Sequence, residues 1–92
     1  MSQSSDTVTE RQARLPETVA LHARPAGMFV RAAAGFGAEV FVSANGRRAN
    51  AKSILDVLAL GAVGGTELTI AASGDDAVEA AEHLALLVAE LA

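Results

Sequence analysis

The sequence contains no cysteine, tryptophan or tyrosine, and it has only three phenylalanines. Without cysteine, disulfide bonds and thiolate metal sites are excluded. Hydrophobic residues make up 51% of the 92 residues but aromatic residues only 3%, so alanine and aliphatic side chains must fill the core. A chain of this length predicts one small domain with a compact core.

Long apolar runs are also missing. No run reaches the roughly 18 residues that a bilayer-spanning helix needs. The N-terminus lacks the basic-then-apolar pattern of a signal peptide. We therefore predict a soluble, cytoplasmic protein that does not insert into a membrane.

Lysine and arginine are absent from residues 53–92, which carry seven acidic side chains and a local net charge of −7 with histidine neutral. Residues 24–52 instead carry five basic side chains and one acidic one, a local net charge of +4. The overall net charge of −4 argues against a general nucleic-acid binder. The basic segment favours phosphorylated or acidic partners, although ordinary surface charge would explain it equally well.

Alternating apolar residues, capping residues and turns predict the element order β-α-β-β-α-β-α. We predict strands at about residues 9–15, 39–43, 47–50 and 67–71, and helices that begin at His22, Ser53 and after Asp76. Asn45-Gly46 predicts a type I′ hairpin turn. Each strand has one apolar face, which predicts a two-layer α+β domain with an antiparallel sheet over residues 11–92. Residues 1–10 are polar and predict a flexible tail.

Two apolar stripes are predicted to face the core from the first and last helices. The first stripe consists of Ala26, Phe29, Val30 and Ala33. The second consists of Val78, Ala81, Leu84, Ala85, Val88 and Leu91. His83 lies off the second stripe, so we predict that it is exposed to solvent, with no partner at a metal-ligand spacing.

His22 is the residue with the strongest chemical signal. It precedes a helix whose first N–H groups, at Ala23 and Arg24, lack partners within the helix and carry partial positive charge. The guanidinium of Arg24 can form two hydrogen bonds to a phosphate. The arrangement predicts an imidazole nucleophile beside a phosphate cradle. The alternatives are a helix cap at His22 and a solvated surface charge at Arg24.

Two segments together resemble the histidine-containing phosphocarrier (HPr) family of the bacterial phosphotransferase system. Leu21-His22-Ala23-Arg24-Pro25-Ala26 is similar to that family's active-site signature. Residues 50–61 are similar to its second signature, which surrounds a regulatory serine. The resemblance spans about residues 11–91. It departs from the family's pattern at Ala20, where glycine is usual, and at Gly27, where a small hydroxyl residue often stands.

The resemblance implies a four-stranded open-faced β-sandwich with strand order 1-4-2-3 and three helices on one face. It also implies a carrier rather than an enzyme. Enzyme I would pass phosphate from phosphoenolpyruvate to His22, Arg24 would stabilise the phosphate, and the IIA domain (EIIA) of a sugar permease would receive it. A carrier in a nitrogen-related or dihydroxyacetone-kinase phosphorelay is an alternative. No cofactor or metal ion is implied, and size and polarity predict a monomer.

Ser53 has two interpretations. Ser53-Ile54-Leu55-Asp56 resembles a capping box, which by itself explains the serine. The resemblance adds phosphorylation by HPr kinase/phosphorylase, which would make the chain a regulatory module for a transcriptional regulator or a permease. It also implies a partner-docking surface of apolar residues with a basic rim. The alternative is that these apolar residues belong to a slightly larger core. The residues of this predicted docking surface are Gly27, Arg31, Lys52, Ile54, Leu55 and Leu58.

Overall fold

The computed structural model describes residues 7–91 and confirms the predicted order of elements. The four strands in this range are β1 (Thr9–Arg14), β2 (Glu39–Ala44), β3 (Arg47–Asn50) and β4 (Glu67–Ser73). The three helices are α1 (Ala23–Ala34), α2 (Ile54–Ala59) and α3 (Ala77–Ala89). Most of the predicted tail, residues 1–6, lies outside the described residues, and its last two residues belong to β1.

The strands form one antiparallel sheet in the order β1-β4-β2-β3. Ala72 of β4 lies opposite Thr9 on one side and opposite Val40 on the other. The hairpin between β2 and β3 turns at Asn45 and Gly46, with φ angles of 56° and 76°. Two consecutive positive φ angles are the signature of the predicted type I′ turn. The structure therefore confirms the α+β class and the strand order.

Alternation along the strands separates the core from the open face of the sheet. Val40, Val42, Leu68 and Ile70 are fully buried, and the helices cover this side. Phe41 points to the other side, where the guanidinium of Arg48 lies 3.8 Å from its ring centroid. The largest buried side chains outside the sheet are Phe29, Leu15, Leu21, Leu84, Val57 and Val88.

The predicted stripe of α3 is wrong at Val78, which is 51% exposed. The residues that α3 buries are Ala77, Ala80, Ala81, Leu84 and Val88. Val78 lies about 100° around the helix from Ala77, so it turns away when Ala77 faces the sheet. The prediction favoured the bulkier side chain, whereas α3 turns Ala77, Ala80 and Ala81 towards the core. In α1, Ala26, Phe29 and Ala33 are buried as predicted, and Val30 is partly buried.

The segment that leads from β1 to α1 rests on the loop between α2 and β4. Leu15 N–H donates to Thr66 O at 2.9 Å, and Leu21 N–H donates to Ala62 O at 2.9 Å. Between these two bonds, a Cβ atom at Gly64 would collide with the carbonyl oxygen of Glu17. The two loops therefore pack backbone against backbone, and only glycine fits at position 64 without a shift.

The turn between α1 and β2 is held by two charged side chains from other turns. The carboxylate of Asp76 accepts hydrogen bonds from Gly37 N–H at 2.9 Å and Ala38 N–H at 2.8 Å. The hydrogen bond from Gly37, with that from Ala38, lowers the pKa of Asp76 below its usual value, against a smaller effect of desolvation. The ammonium of Lys52 donates to Phe36 O at 2.8 Å. These contacts fix the C-terminal end of α1.

Candidate functional site

His22 is the N-cap of α1, as predicted. Its backbone is extended, with φ −123° and ψ −166°, and its carbonyl accepts the first helical hydrogen bond from Ala26 N–H at 2.9 Å. Its own N–H donates to Ala20 O at 2.9 Å. The side chain makes no capping hydrogen bond and is exposed to solvent. The backbone of His22 is therefore fixed, while its imidazole is available for a reaction.

The first turn of α1 follows His22 directly and begins with two N–H groups that make no backbone hydrogen bond within the described residues 7–91. Since Ala26 makes the first helical hydrogen bond, the N–H groups of Ala23 and Arg24 precede the helical ladder. Pro25 has no N–H and occupies a position where none is needed. Two oriented donors at the positive end of a helix are suited to an anion.

A depression of about 240 Å³ adjoins the site. His22 and Arg24 both line it, and Arg24 is exposed. The other lining residues are Thr18, Val19, Ala20, Pro25, Met28 and Leu91. The structure thus brings the two predicted site residues to one depression, whose volume is large enough for a phosphoryl group.

The buried neighbour of His22 fixes the position of the site. Leu21 is 1% exposed, and its N–H bond to Ala62 ties it to the loop between α2 and β4. Sequence reasoning missed this support, as it missed Gly64 and Asp76. All three act through contacts with residues far away in the chain. The only local signal was the glycine-rich composition of residues 61–65.

Ser53 is the N-cap of α2, and its hydroxyl accepts a hydrogen bond from Asp56 N–H at 3.3 Å. This is one of the two hydrogen bonds of the predicted capping box. The carboxylate of Asp56 accepts from Asn50 N–H at 3.4 Å, whereas Ser53 N–H donates to Asn50 O at 3.0 Å. A reciprocal box would need the carboxylate of Asp56 to accept from Ser53 N–H. The side chain of Ser53 is half-buried.

The residues of the predicted docking surface differ in exposure. Leu55 is 75% exposed and Ile54 is 39% exposed, whereas Leu58 packs partly against the core. Arg31 is exposed on α1, and Gly27 is half-buried there. Lys52 is exposed, but its ammonium is engaged by Phe36 O, which the sequence did not indicate. α1 and α2 are in contact, so the two helices that carry most of these residues adjoin each other.

Two other expectations concern metal ligands and membranes. His83 is exposed, as predicted, and its ring centroid lies 5.6 Å from that of Phe36. Within residues 7–91, no three potential ligand side chains are grouped as a metal ion would require. In the same range, every helix is too short or too polar to cross a membrane.

Comparison with known proteins relates this site to a family. Residues 9–90 match the family model described as the PTS HPr component phosphorylation site. The chain belongs to the HPr family. The match extends from β1 to the residue after α3, so the HPr domain accounts for nearly all of the described chain.

Similarity to individual HPr proteins supports this assignment. The phosphocarrier protein HPr of Vibrio cholerae is 44% identical over 82 residues, which cover 89% of this chain and 96% of that protein. The HPr-like protein Crh of Bacillus subtilis is 46% identical over 70 residues, covering 76% and 82% of the two chains. The crystal structure of HPr from Bacillus anthracis superposes with a TM-score of 0.85 at 36% identity, covering 90% of this chain and 99% of that chain.

Proposed function

We propose that this chain carries phosphate in a phosphoenolpyruvate-dependent sugar phosphotransferase system, with His22 as its phosphoryl acceptor. Phosphorylated Enzyme I is the donor, and the IIA domain of a sugar permease is the recipient. One observation carries the proposal. In a member of the HPr family, the N-cap of α1 is an exposed histidine, followed directly by the N–H groups of Ala23 and Arg24, which make no backbone hydrogen bond within residues 7–91.

The chemistry of the proposed step follows from these groups. A ring nitrogen of neutral His22 donates its lone pair to phosphorus, and a phosphorus–nitrogen bond forms as the bond to the donor's leaving atom breaks. The helix N-terminus attracts the transferred dianion by roughly 0.3–1 kcal/mol. Charge-assisted hydrogen bonds from Arg24 add about 1.5–3 kcal/mol. These moderate values suit a carrier, because phosphate that is held too tightly cannot be passed on.

Transfer from phosphoenolpyruvate tests this proposal. We expect wild-type protein incubated with phosphoenolpyruvate and Enzyme I to gain an acid-labile adduct of about 80 Da. His22→Ala should gain none. His83→Ala is the matched control, because it removes the other exposed histidine and should be phosphorylated like wild type. Persistence of the adduct in His22→Ala would refute the assignment.

A second candidate is regulation through Ser53. Its hydroxyl caps α2 directly before the exposed side chains of Ile54 and Leu55, so a phosphate there would alter that surface. The test is incubation with ATP and a lysate of the source cells, or with HPr kinase/phosphorylase, using Ser53→Ala as the control. Absence of label on wild-type protein under both conditions would argue against this role.

The branch of the phosphotransferase system is distinguished by the recipient. The test incubates the phosphorylated chain in parallel with three purified acceptors. They are a sugar-type IIA protein, a nitrogen-type IIA protein and a dihydroxyacetone-kinase phosphoryl acceptor. We expect the sugar-type protein to dephosphorylate it fastest.

For the free chain we predict a monomer, and light scattering measures its molar mass directly.

A further inference from the structure

Thr18 is a third polar side chain in the depression that His22 and Arg24 line. The remaining lining residues are all apolar, and none of the described residues that line it is acidic. The function proposed above uses His22 and Arg24 and leaves Thr18 without a role. A hydroxyl group beside two groups that are proposed to accept and stabilise phosphate therefore calls for its own explanation.

The backbone holds Thr18 in the segment that precedes His22. Val19 N–H donates to Pro16 O at 3.0 Å, which closes a turn whose third residue is Thr18. Further along, the bond from Leu21 N–H to Ala62 O fixes the end of the same segment. The side chain of Val19 packs against the core, whereas that of Thr18 is exposed. Thr18 thus presents its side chain to solvent from a backbone that is tied down on both sides.

The hydroxyl of Thr18 is available for a ligand. Within residues 7–91 it makes no hydrogen bond, so its proton has no partner in the described part of the chain. The neighbouring carboxylate of Glu17 lies elsewhere, because a Cβ atom at Gly65 would be 3.1 Å from its Oε2 atom and Glu17 does not line the depression. Thr18 is therefore a neutral donor in surroundings that suit an anion.

We propose that the hydroxyl of Thr18 donates a hydrogen bond to the phosphoryl group on His22. The inference rests on the proposed function, because it takes His22 to be the phosphoryl acceptor. A phosphoryl group has three strongly accepting oxygens. The N–H groups of Ala23 and Arg24, the guanidinium of Arg24 and the hydroxyl of Thr18 supply donors from both chain segments that flank the histidine.

The hydroxyl keeps its proton throughout the transfer. The ring nitrogen of His22 forms the bond to phosphorus as the bond to the donor's leaving atom breaks, and Thr18 neither gives up nor takes a proton. In the unphosphorylated protein the hydroxyl is hydrated, whereas in the phosphorylated form it bonds a dianion. The contact therefore stabilises the phosphorylated form and shifts the equilibrium of phosphate transfer towards this chain.

The test compares Thr18→Val with Thr69→Val. Both variants exchange a hydroxyl for a methyl group on a β-branched side chain, but Thr69 lies on β4 and does not line the depression. The equilibrium constant for transfer from phosphorylated Enzyme I is measured for each protein. We expect Thr18→Val to lower it about fivefold or more, as for a lost hydrogen bond to a charged group, and Thr69→Val to match wild type.

Two further measurements separate the hydroxyl from the turn that carries it. Thr18→Ser keeps the hydroxyl and should restore the wild-type equilibrium constant. Amide exchange at Val19 N–H should be unchanged in Thr18→Val, because the hydroxyl makes no hydrogen bond in this turn.

A wild-type equilibrium constant in Thr18→Val would overturn the inference alone. An equal loss in Thr18→Ser, or faster exchange at Val19 N–H in Thr18→Val, would also overturn it, because the turn rather than the hydroxyl would then be responsible. Failure of wild-type protein to accept phosphate at all would overturn the proposed function and this inference together.

Discussion

At the scale of single residues, Arg24 is the charged group whose loss should affect the proposed transfer most directly. Its guanidinium lines the depression beside His22. Because hydrogen bonds to charged groups contribute about 1.5–3 kcal/mol, Arg24→Ala should slow transfer to His22 by roughly one to two orders of magnitude. Arg48→Ala is the control, since Arg48 stacks on Phe41 on the open face of the sheet. Equal rates for the two variants would contradict a role of Arg24 in stabilising phosphate.

A second residue-scale prediction concerns pH. The hydrogen bond from Gly37 N–H, with that from Ala38 N–H, lowers the pKa of Asp76 below its ordinary 3.8 in the folded state. Asp76 therefore adds to stability above that pH, and the contribution disappears as the pH falls through the lowered folded value. Urea unfolding should show Asp76→Asn less stable than wild type at pH 7, with the gap narrowing below about pH 4. Equal stability of Asp76→Asn and wild type at pH 7 would contradict this prediction.

At the scale of elements, Gly64 joins the loop after α2 to the segment that carries His22. Its Cβ would collide with Glu17 O, so Gly64→Ala should shift this segment and cost roughly 1–3 kcal/mol of stability. We expect faster hydrogen exchange at Leu21 N–H and slower phosphorylation of His22. Gly46→Ala is the matched control. It strains a φ of +76° in the turn between β2 and β3 and has no neighbour within 4 Å, so it should destabilise without affecting Leu21. Unchanged exchange at Leu21 in Gly64→Ala would refute the coupling.

Elements specified by neighbouring residues could be predicted from the sequence. The cap at His22, the stripe of α1, the Asn45-Gly46 turn and the cap at Ser53 all depend on contacts within a few positions. The orientation of α3 could not be predicted in the same way. It depends on how the helix packs on distant parts of the chain, and this packing buries Ala77 and Ala80 rather than Val78. The site was predicted for the same local reason, whereas the hydrogen bonds from Leu21 N–H to Ala62 O and from the Lys52 ammonium to Phe36 O join distant segments.

At the scale of the whole molecule, the sheet order predicts where stability is concentrated. β4 pairs with β1 on one side and β2 on the other, while β3 pairs with β2 alone in the described part of the chain. Amide exchange of β4 should therefore require global unfolding, whereas the outer amides of β3 exchange by local opening. Hydrogen-exchange measurements should show Leu68 and Ile70 protected by about two orders of magnitude more than Arg47 or Arg48. Equal protection in both strands would contradict the assigned order.

The exposure of His22 has a consequence for the lifetime of the proposed phosphorylated form. His22 is exposed to solvent. Under the proposed function, water can reach a phosphoryl group on the imidazole, so the group is open to hydrolysis until a recipient takes it. The share of phosphate that is delivered rather than lost to water then depends on how soon the phosphorylated form meets a recipient.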